Sequence, residues 1–268
     1  VGLLAQQRRE LILEQVRARG AVRVSDLAGH FGVSDMTVRR DLDVLARQRL
    51  VDKVHGGATA VGAPSTEEPG FLVKSQRQLV EKEAVARAAA RLVEPGSAIG
   101  LSAGTTTWAL ARLLVDVPGL TIVTNSMAVA DVFRAAPRPD LTVILTGGIR
   151  TPSEALVGPV AVASLRSLNL DAVFLGVHGM SAAAGFTTPN LTEAETDRAL
   201  VEAGQRLVVV ADHTKWGTVG ISTIAALSDA DVLVTDDGLA DDARAVLAGE
   251  VDELVIAPVA GTAGEAGA

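Results

Sequence analysis

The sequence predicts an α/β protein in two parts: a small helix-turn-helix head with a wing, then an open, mainly parallel α/β domain. Three observations predict it. Residues 1–60 hold ten Lys/Arg against seven Asp/Glu, a net of +3, whereas the remaining 208 hold 14 against 25, a net of −11, in a chain of formal net charge −8. The head breaks into three short helical segments with a glycine between the second and third. Beyond residue 80, Val/Ile/Leu-rich runs alternate with helical segments, the pattern of strands buried on both faces.

The bulk composition bounds the function classes. With 268 residues, 48% of them hydrophobic, the chain is long enough to bury a core in each part and is not a disordered protein. Tyr and Cys are absent, which excludes a disulfide framework, thiolate metal sites and a Cys nucleophile, and suits a reducing compartment. No apolar run approaches a membrane span, and VGLLAQQRRELILEQ lacks the order of a signal peptide. These features lead us to expect a cytoplasmic protein without a membrane partner. A basic head on an acidic body implies that only the head meets a polyanion.

In the head, RRELILEQVRARG reads as a first helix with Leu11, Ile12 and Val16 as its apolar stripe and Gly20 as its stop. A second helix starts after Ser25 as N-cap, carries Leu27, Ala28 and Phe31, and turns at Gly32. The third, SDMTVRRDLDVL, starts at Ser34. On a helical wheel Val38, Leu42 and Leu45 share one face, while Met36, Arg40 and Arg47 lie opposite, with Thr37 and Arg39 on the flanks. In a helix-turn-helix the second helix of the pair enters the major groove, and the residues near its N-terminal end reach bases and phosphates. RLVDKVHGGATAV then reads as a two-stranded hairpin around Gly56-Gly57, a wing. The candidate DNA contacts are Ser25, Ser34, Met36, Thr37, Arg39 and Arg40, with Lys53 and His55 near the wing tip. His30 and Phe31 are assigned to packing.

The Pro/Gly/Ser-rich APSTEEPG, residues 63–70, reads as connecting chain. We expect a head over residues 1–61, a linker over 62–79, an α/β domain over 80–260 and a disordered tail over 261–268. EKEAVARAAARLV is a helix, SAIGL a strand and TTTWALARLL a helix; LTIVT, LTVILT, DAVFLG, RLVVVA, DVLVT and ELVIA are the further strands.

Ligands of open α/β sheets bind at the carboxyl ends of the strands, so those loops carry the candidate site. LSAGTTTW (Ser102, Ala103, Gly104, Thr105, Thr106, Thr107) opens a helix whose free N–H groups attract an anion, though it lacks the Lys of a Walker A loop. The following loops supply Asn125 and Ser126, Gly147, Gly148 and Arg150, His178, and Lys215, a set suited to a phosphorylated polyol. Asp236-Asp237-Gly238 reads as a helix entry and not a metal site, and no cofactor is expected.

FGVSDMTVRRDLDVLARQRLVDKVHGGA resembles the DNA-binding signature of the DeoR family of bacterial transcription regulators. That resemblance implies a winged helix-turn-helix on a C-terminal domain sensing a sugar phosphate or related metabolite. The second half is similar to the ribose-5-phosphate isomerase-like fold shared by pentose phosphate isomerases and glucosamine-6-phosphate deaminases. The similarity makes LSAGTTT a phosphate loop, Lys215 a phosphate-contacting lysine, and Glu193, after Thr187 to Asn190, a ligand neighbour. Where the deaminases carry an Asp-Gly-His, GVHGM places His178 and Met180, and a thioether cannot exchange protons near neutral pH. Many family members have Asp at Ser102 and Asp or Asn at His178, so the effector's identity does not transfer. The expectation is a homo-oligomeric repressor of a sugar-catabolic operon, bound to double-stranded operator DNA and released by a small phosphorylated sugar. The rival is a sugar-phosphate isomerase or deaminase with an accessory DNA-binding domain.

Overall fold

The computed structural model describes residues 5–19, 21–48, 50–54, 57–60, 70–136 and 138–259, with the backbone alone at 17–19, 21, 52–54, 59 and 60. The chain divides into two compact units, Val1–Ser65 and Thr66–Ala268. The expected disordered tail lies outside the described residues.

The first unit runs α1 (Ala5–Arg19), β1 (Ala21–Arg23), α2 (Val24–Phe31), α3 (Asp35–Arg47), β2 (Val51–Val54) and β3 (Gly57–Ala60). The turn between α2 and α3 forms because Gly32 adopts a left-handed φ of 63° that a side chain would resist. Ser34 then caps α3, its Oγ accepting the Thr37 N–H at 3.3 Å. Ile12, Val16, Leu27, Val38, Leu42 and Leu45 close the core as the periodicity predicts. Leu11 does not join them: it is 37% exposed, because the stripe of α1 is centred on Ile12. Ser25 is not the N-cap of α2 either. That helix begins at Val24 with Arg23 as its cap, and Ser25 bonds Asp26 from an exposed position.

The hairpin is present as β2 paired antiparallel with β3, and β1, unforeseen in the sequence, adds a third strand on the far side of β3. A Cβ at Gly57 would fall 2.1 Å from the Val22 carbonyl oxygen, so the β1–β3 approach requires glycine there. A buried ion pair fastens α1 to α3: Arg8 Nε donates to Asp41 Oδ2 at 2.6 Å, with about a tenth of either side chain exposed, and Arg9 approaches the same carboxylate at 3.9 Å.

The second unit opens with α4 (Phe71–Ser75) and α5 (Leu79–Ala90), then β4 (Ala98–Leu101), α6 (Thr105–Leu114), β5 (Thr121–Thr124), α7 (Met127–Ala135) and β6 (Thr142–Leu145). A short hairpin, β7 (Ile149–Arg150) and β8 (Leu156–Val157), leads to α8 (Pro159–Leu165) and β9 (Ala172–Gly176). After β10 (Gly179–Ser181) and β11 (Gly185–Thr188) come α9 (Leu191–Glu202), β12 (Leu207–Val210), β13 (Ser222–Ala225), β14 (Val232–Asp236), α10 (Asp241–Glu250) and β15 (Glu253–Ala257). Seven strands form one sheet in the order β15-β14-β12-β9-β4-β5-β6, every pair parallel. Alternate residues fill two cores. Val208 and Val210 pack with Val85, Leu110 and Leu114 of α5 and α6, while Leu207 and Val209 pack with Leu165, Leu200 and Leu247 of α8, α9 and α10. A small antiparallel sheet, β10-β11-β13, lies outside this plan and was not predicted.

The expected linker over 62–79 is not connecting chain throughout. Residues 62–69 lie outside the described residues, but α4 folds within the span and α5 begins at Leu79. The reason is packing: the Phe71 ring meets Trp108 of α6 edge-on at 6.0 Å, the Phe71 N–H donates to Pro152 O at 3.1 Å, and Lys74 Nζ donates to Ser153 Oγ at 2.7 Å. Asp236-Asp237-Gly238 is likewise no helix entry, since Asp236 closes β14 and the next helix begins at Asp241.

Asp41→Ala strands a buried guanidinium and is expected to destabilise the first unit by about 3 kcal/mol. Asp131→Ala, removing an exposed i,i+3 partner of Arg134, is expected to cost under about 0.5 kcal/mol. Urea denaturation of the full chain compares the two.

Candidate functional site

On α3 the basic residues divide by what they touch. Arg8 and Arg9 of α1 turn to Asp41, at 2.6 and 3.9 Å, and Arg47 Nε donates to the Asp43 carbonyl at 3.2 Å. Arg39 and Arg40 are exposed and make no ion pair among the described residues. Met36 beside them is 60% exposed, a large apolar side chain held in solvent. Ser34 and Thr37 are exposed and half-buried, their hydroxyls 3.0 Å apart at the helix cap. Ser25 lies on α2 and not on this helix. The Lys53 backbone lies in β2; its side chain and the whole of His55 fall outside the described residues.

In the second unit a parallel sheet brings all strand-end loops to one edge. Strand order reverses between β4 and β9, the crevice in which such sheets bind ligands. Ser102 bridges it: its buried Oγ accepts the Gly176 N–H at 2.9 Å. Asn125 lies on the other side, its Oδ1 accepting the Ala103 N–H at 2.9 Å, while its buried Nδ2 has no hydrogen-bond partner. An amide hydrogen left unpaired in a buried place is costly, and a ligand oxygen would satisfy it. Thr105 and Thr106 open α6 beside it, both buried, with Gly104 at the cap. Thr107 is taken up internally, its hydroxyl facing the carbonyls of Ser102 (2.8 Å) and Gly104 (3.0 Å).

Several candidates have structural work of their own. Ser126 caps α7 by accepting the Val129 N–H at 3.2 Å. Gly147 and Gly148 have φ of 74° and 120°, and a Cβ at Gly148 would fall 2.5 Å from the Val157 carbonyl oxygen, so both shape the loop after β6. Arg150, expected to face an anion, is exposed and paired with Glu154, Nε to Oε2 at 2.9 Å. Glu193 sits buried in the first turn of α9, accepting from Thr151 at 2.7 Å and Thr188 at 3.3 Å. His178 is half-buried with its N–H on Thr187 O, and Met180 is fully buried in the core. Lys215 ends the 3-10 turn His213–Lys215, which Asp212 caps through Thr214.

The sequence reading missed Lys82. It is buried on α5, and its Nζ donates to the carbonyls of Lys74 and Arg77, both at 2.6 Å, closing the C-terminal end of α4. Burial lowers its pKa to about 8; Lys215, Lys74 and Arg77 push the same way and Asp212 pushes back. Asp212 is fully buried, and its Oδ2 has no hydrogen-bond partner. The signal available was Lys82 at the i−3 and i−4 positions of the buried Val85 and Ala86, a cation on the apolar face of EKEAVARAAA. Nearby, Asp197 lies one turn after Glu193 on α9; burial and then the Glu193 charge raise its pKa well above the carboxylate range. A second missed pair is His213 and Asp236, Nδ1 to Oδ2 at 2.6 Å. Burial alone would lower the histidine, but the Asp236 bond and charge, with Asp212 and Glu81, outweigh it and raise the pKa. Burial likewise opposes ionisation of Asp236, yet His213 and the N–H groups of His213 and Gly238 bring its pKa below the usual value.

Among the described residues no group of His, Cys, Asp or Glu is placed to hold a metal, and no helix is long and apolar enough to cross a membrane.

The sequence profile of the DeoR C terminal sensor domain matches residues 77–237, and that of the DeoR-like helix-turn-helix domain matches residues 8–63. The chain belongs to the DeoR family. Relatives align along nearly their whole length. The HTH-type transcriptional regulator YgbI of Escherichia coli K12 is 37% identical over 95% of this chain and 99% of its own. The putative aga operon transcriptional repressor of Escherichia coli O157:H7 is 34% identical over 88% of each chain, and the glycerol-3-phosphate regulon repressor of Escherichia coli K12 is 33% identical over 86% and 90%. Among solved structures, ribose 5-phosphate isomerase A of Methanocaldococcus jannaschii aligns over 50% of this chain and 53% of its own at 16% identity and TM-score 0.37, too distant to bear on function. This DeoR-family chain is a DNA-binding transcriptional regulator.

The His213–Asp236 pair gives a pH signature. Raised in the fold, His213 stabilises fully below its unfolded pKa near 6.5, and that contribution disappears as pH rises through its higher folded value. Asp236, lowered in the fold, stabilises above about 3.8 and fails below its folded value. The melting-temperature advantage of wild type over His213→Gln is therefore expected to be larger at pH 6 than at pH 9, read by calorimetry at both.

Proposed function

We propose that this regulator is a repressor whose α3 reads operator DNA and whose sheet edge holds a small phosphorylated polyol or sugar that releases it. The observation that carries the DNA half is the pair Arg39 and Arg40, unpaired and exposed on α3 while Arg8, Arg9 and Arg47 are engaged. Arginine can bond guanine by two N–H groups, and Thr37 or Met36 can meet a thymine methyl. Paired half-sites ask for at least a dimer, and DNA as partner places the protein in the cytoplasm.

Support for the effector half comes from the unpaired Asn125 amide, the buried start of α6 at Thr105 and Thr106, and Lys215. Free N–H groups at a helix start and a cation together suit a phosphate, while Ser102 and Asn125 suit hydroxyl groups. The relative named for glycerol-3-phosphate agrees with that chemical class. Arg150 is left out of the ligand set because Glu154 neutralises it. Lys82 offers a route to the DNA-binding unit: one ammonium closes α4, the first described helix after the joining segment, and stands within electrostatic reach of Lys215 and Asp212. An anion drawn to that cluster competes with the α4 carbonyls for Lys82, which supplies the differential affinity a release mechanism needs.

Arg39→Ala/Arg40→Ala tests the reading. A guanine contact is worth about 1–3 kcal/mol, so the double variant is expected to weaken binding to the protein's own promoter at least about tenfold, and each arginine that meets a phosphate flattens the slope of log K against log salt by about 0.9. An unchanged slope and affinity would remove α3 from the interface.

A further inference from the structure

Strand β6 ends the seven-stranded sheet, and no strand pairs beyond it among the described residues. The Thr142 N–H donates to Leu120 O and the Thr146 N–H to Thr124 O, so even-numbered residues face β5. By the alternation of a parallel ladder, the N–H and C=O groups of Val143 and Leu145 point outward. The side chains are apolar on both faces of this edge: Val143, Ile144 and Leu145 are 37%, 37% and 40% exposed. Val143 and Leu145 also line a groove of about 620 Å³ against Met127 and Phe133 of α7. An apolar edge of this kind, with no lysine, proline or bulge within the strand, is a template for pairing with another strand.

We infer that β6 is the interface between two copies of this chain, the two strands running antiparallel about a two-fold axis at Ile144. The register follows from the parity of the strand. With Ile144 opposite Ile144 of the second copy, each Val143 faces the other's Leu145, and these outward-facing residues exchange N–H···O=C bonds. A shift by one residue would oppose outward groups to inward ones and lose those bonds. The same register joins Val143 to the second Leu145 on the groove face and Ile144 to Ile144 on the other, so both apolar faces are covered at once.

Charge also selects a second copy. Residues 61–268 carry an excess of acid, and like units repel across most of their surface. The groove rim is an exception: Arg134 pairs with Asp131 and Arg138 with Asp140, leaving it neutral. The opposite sheet edge differs, since β15 begins with an exposed Glu253 next to Arg206. This interface deepens the oligomer required by paired half-sites and rests on that reading only for its purpose. It also places the loop Thr146–Gly148, which β6 enters directly, beside the two-fold axis.

Light scattering on the full chain tests it with Ile144→Lys and Ile144→Glu. The wild type is expected at twice the 27.5 kDa chain mass or a higher even multiple. Each variant, with unchanged circular dichroism, is expected at half the wild-type mass, because the axis sets like charges side by side. Mixing the two variants is expected to restore the full mass by pairing Lys with Glu. A wild type at the chain mass, variants that keep the wild-type mass, or folded variants that do not recombine would each overturn the interface. If the variants halve in mass yet bind operator unchanged, the interface stands and the paired half-site reading fails.

Discussion

All seven strands of the large sheet run the same way, and that single constraint organises the larger unit. Every strand of that sheet delivers its carboxyl end to one edge, so residues as far apart in sequence as Ser102, Asn125, Gly176 and Asp212 all lie along that edge. Ser102 shows how the edge is held open. Its hydroxyl takes the Gly176 N–H across the point where strand order reverses, and Thr107 fixes the loop from below by bonding its carbonyls. Among the described residues, the buried side-chain atoms left without a hydrogen-bond partner are Asn125 Nδ2, Asp212 Oδ2, Thr235 Oγ1 and Arg244 Nε, and the first two follow strands β5 and β12 at this edge. A buried group in that condition costs about 1–3 kcal/mol, and the proposed ligand's oxygens and hydroxyls are of the kind that would satisfy these two.

Lys82 is the second organising group, and it joins function to architecture. A lysine buried on an otherwise apolar helix face loses hydration, which is why burial lowers its pKa to about 8. The carbonyls of Lys74, in α4, and Arg77, just beyond it, compensate by accepting from its ammonium. The helix thus anchored is the first described element after the segment joining the two units. In the proposed mechanism a change of charge around Lys215 and Asp212 would act on the anchoring of α4 through this one ammonium.

How much was legible in the sequence follows from the range of each interaction. The wheel of α3 put Val38, Leu42 and Leu45 in the core and Arg40 outside because helical periodicity is local, and the structure agrees. The parallel strands were legible for the same reason: continuous Val/Ile/Leu runs mean burial on both faces. The failures are non-local. Phe71 forms a helix because Trp108 is there to receive it, and Arg150 pairs with Glu154 across a hairpin too short to stand out. His213 and Asp236 lie 23 residues apart, and Lys82 stands in a segment whose sequence shows only that it is a helix. β6 is the instructive case: LTVILT reads as a strand like the others, and only topology shows that it is the edge.

The central claim is that one crevice at the sheet edge, built to hold a phosphate, controls the hold on DNA. The most direct measurement is fluorescence anisotropy of the labelled promoter of the protein's own gene, titrated with paired polyols that differ only in carrying a phosphate. The account predicts that at least one phosphorylated member weakens operator binding at least tenfold, a coupling of about 1.4 kcal/mol, while its unphosphorylated counterpart does nothing. Equal effects from both members of every pair, or none from any, would contradict it.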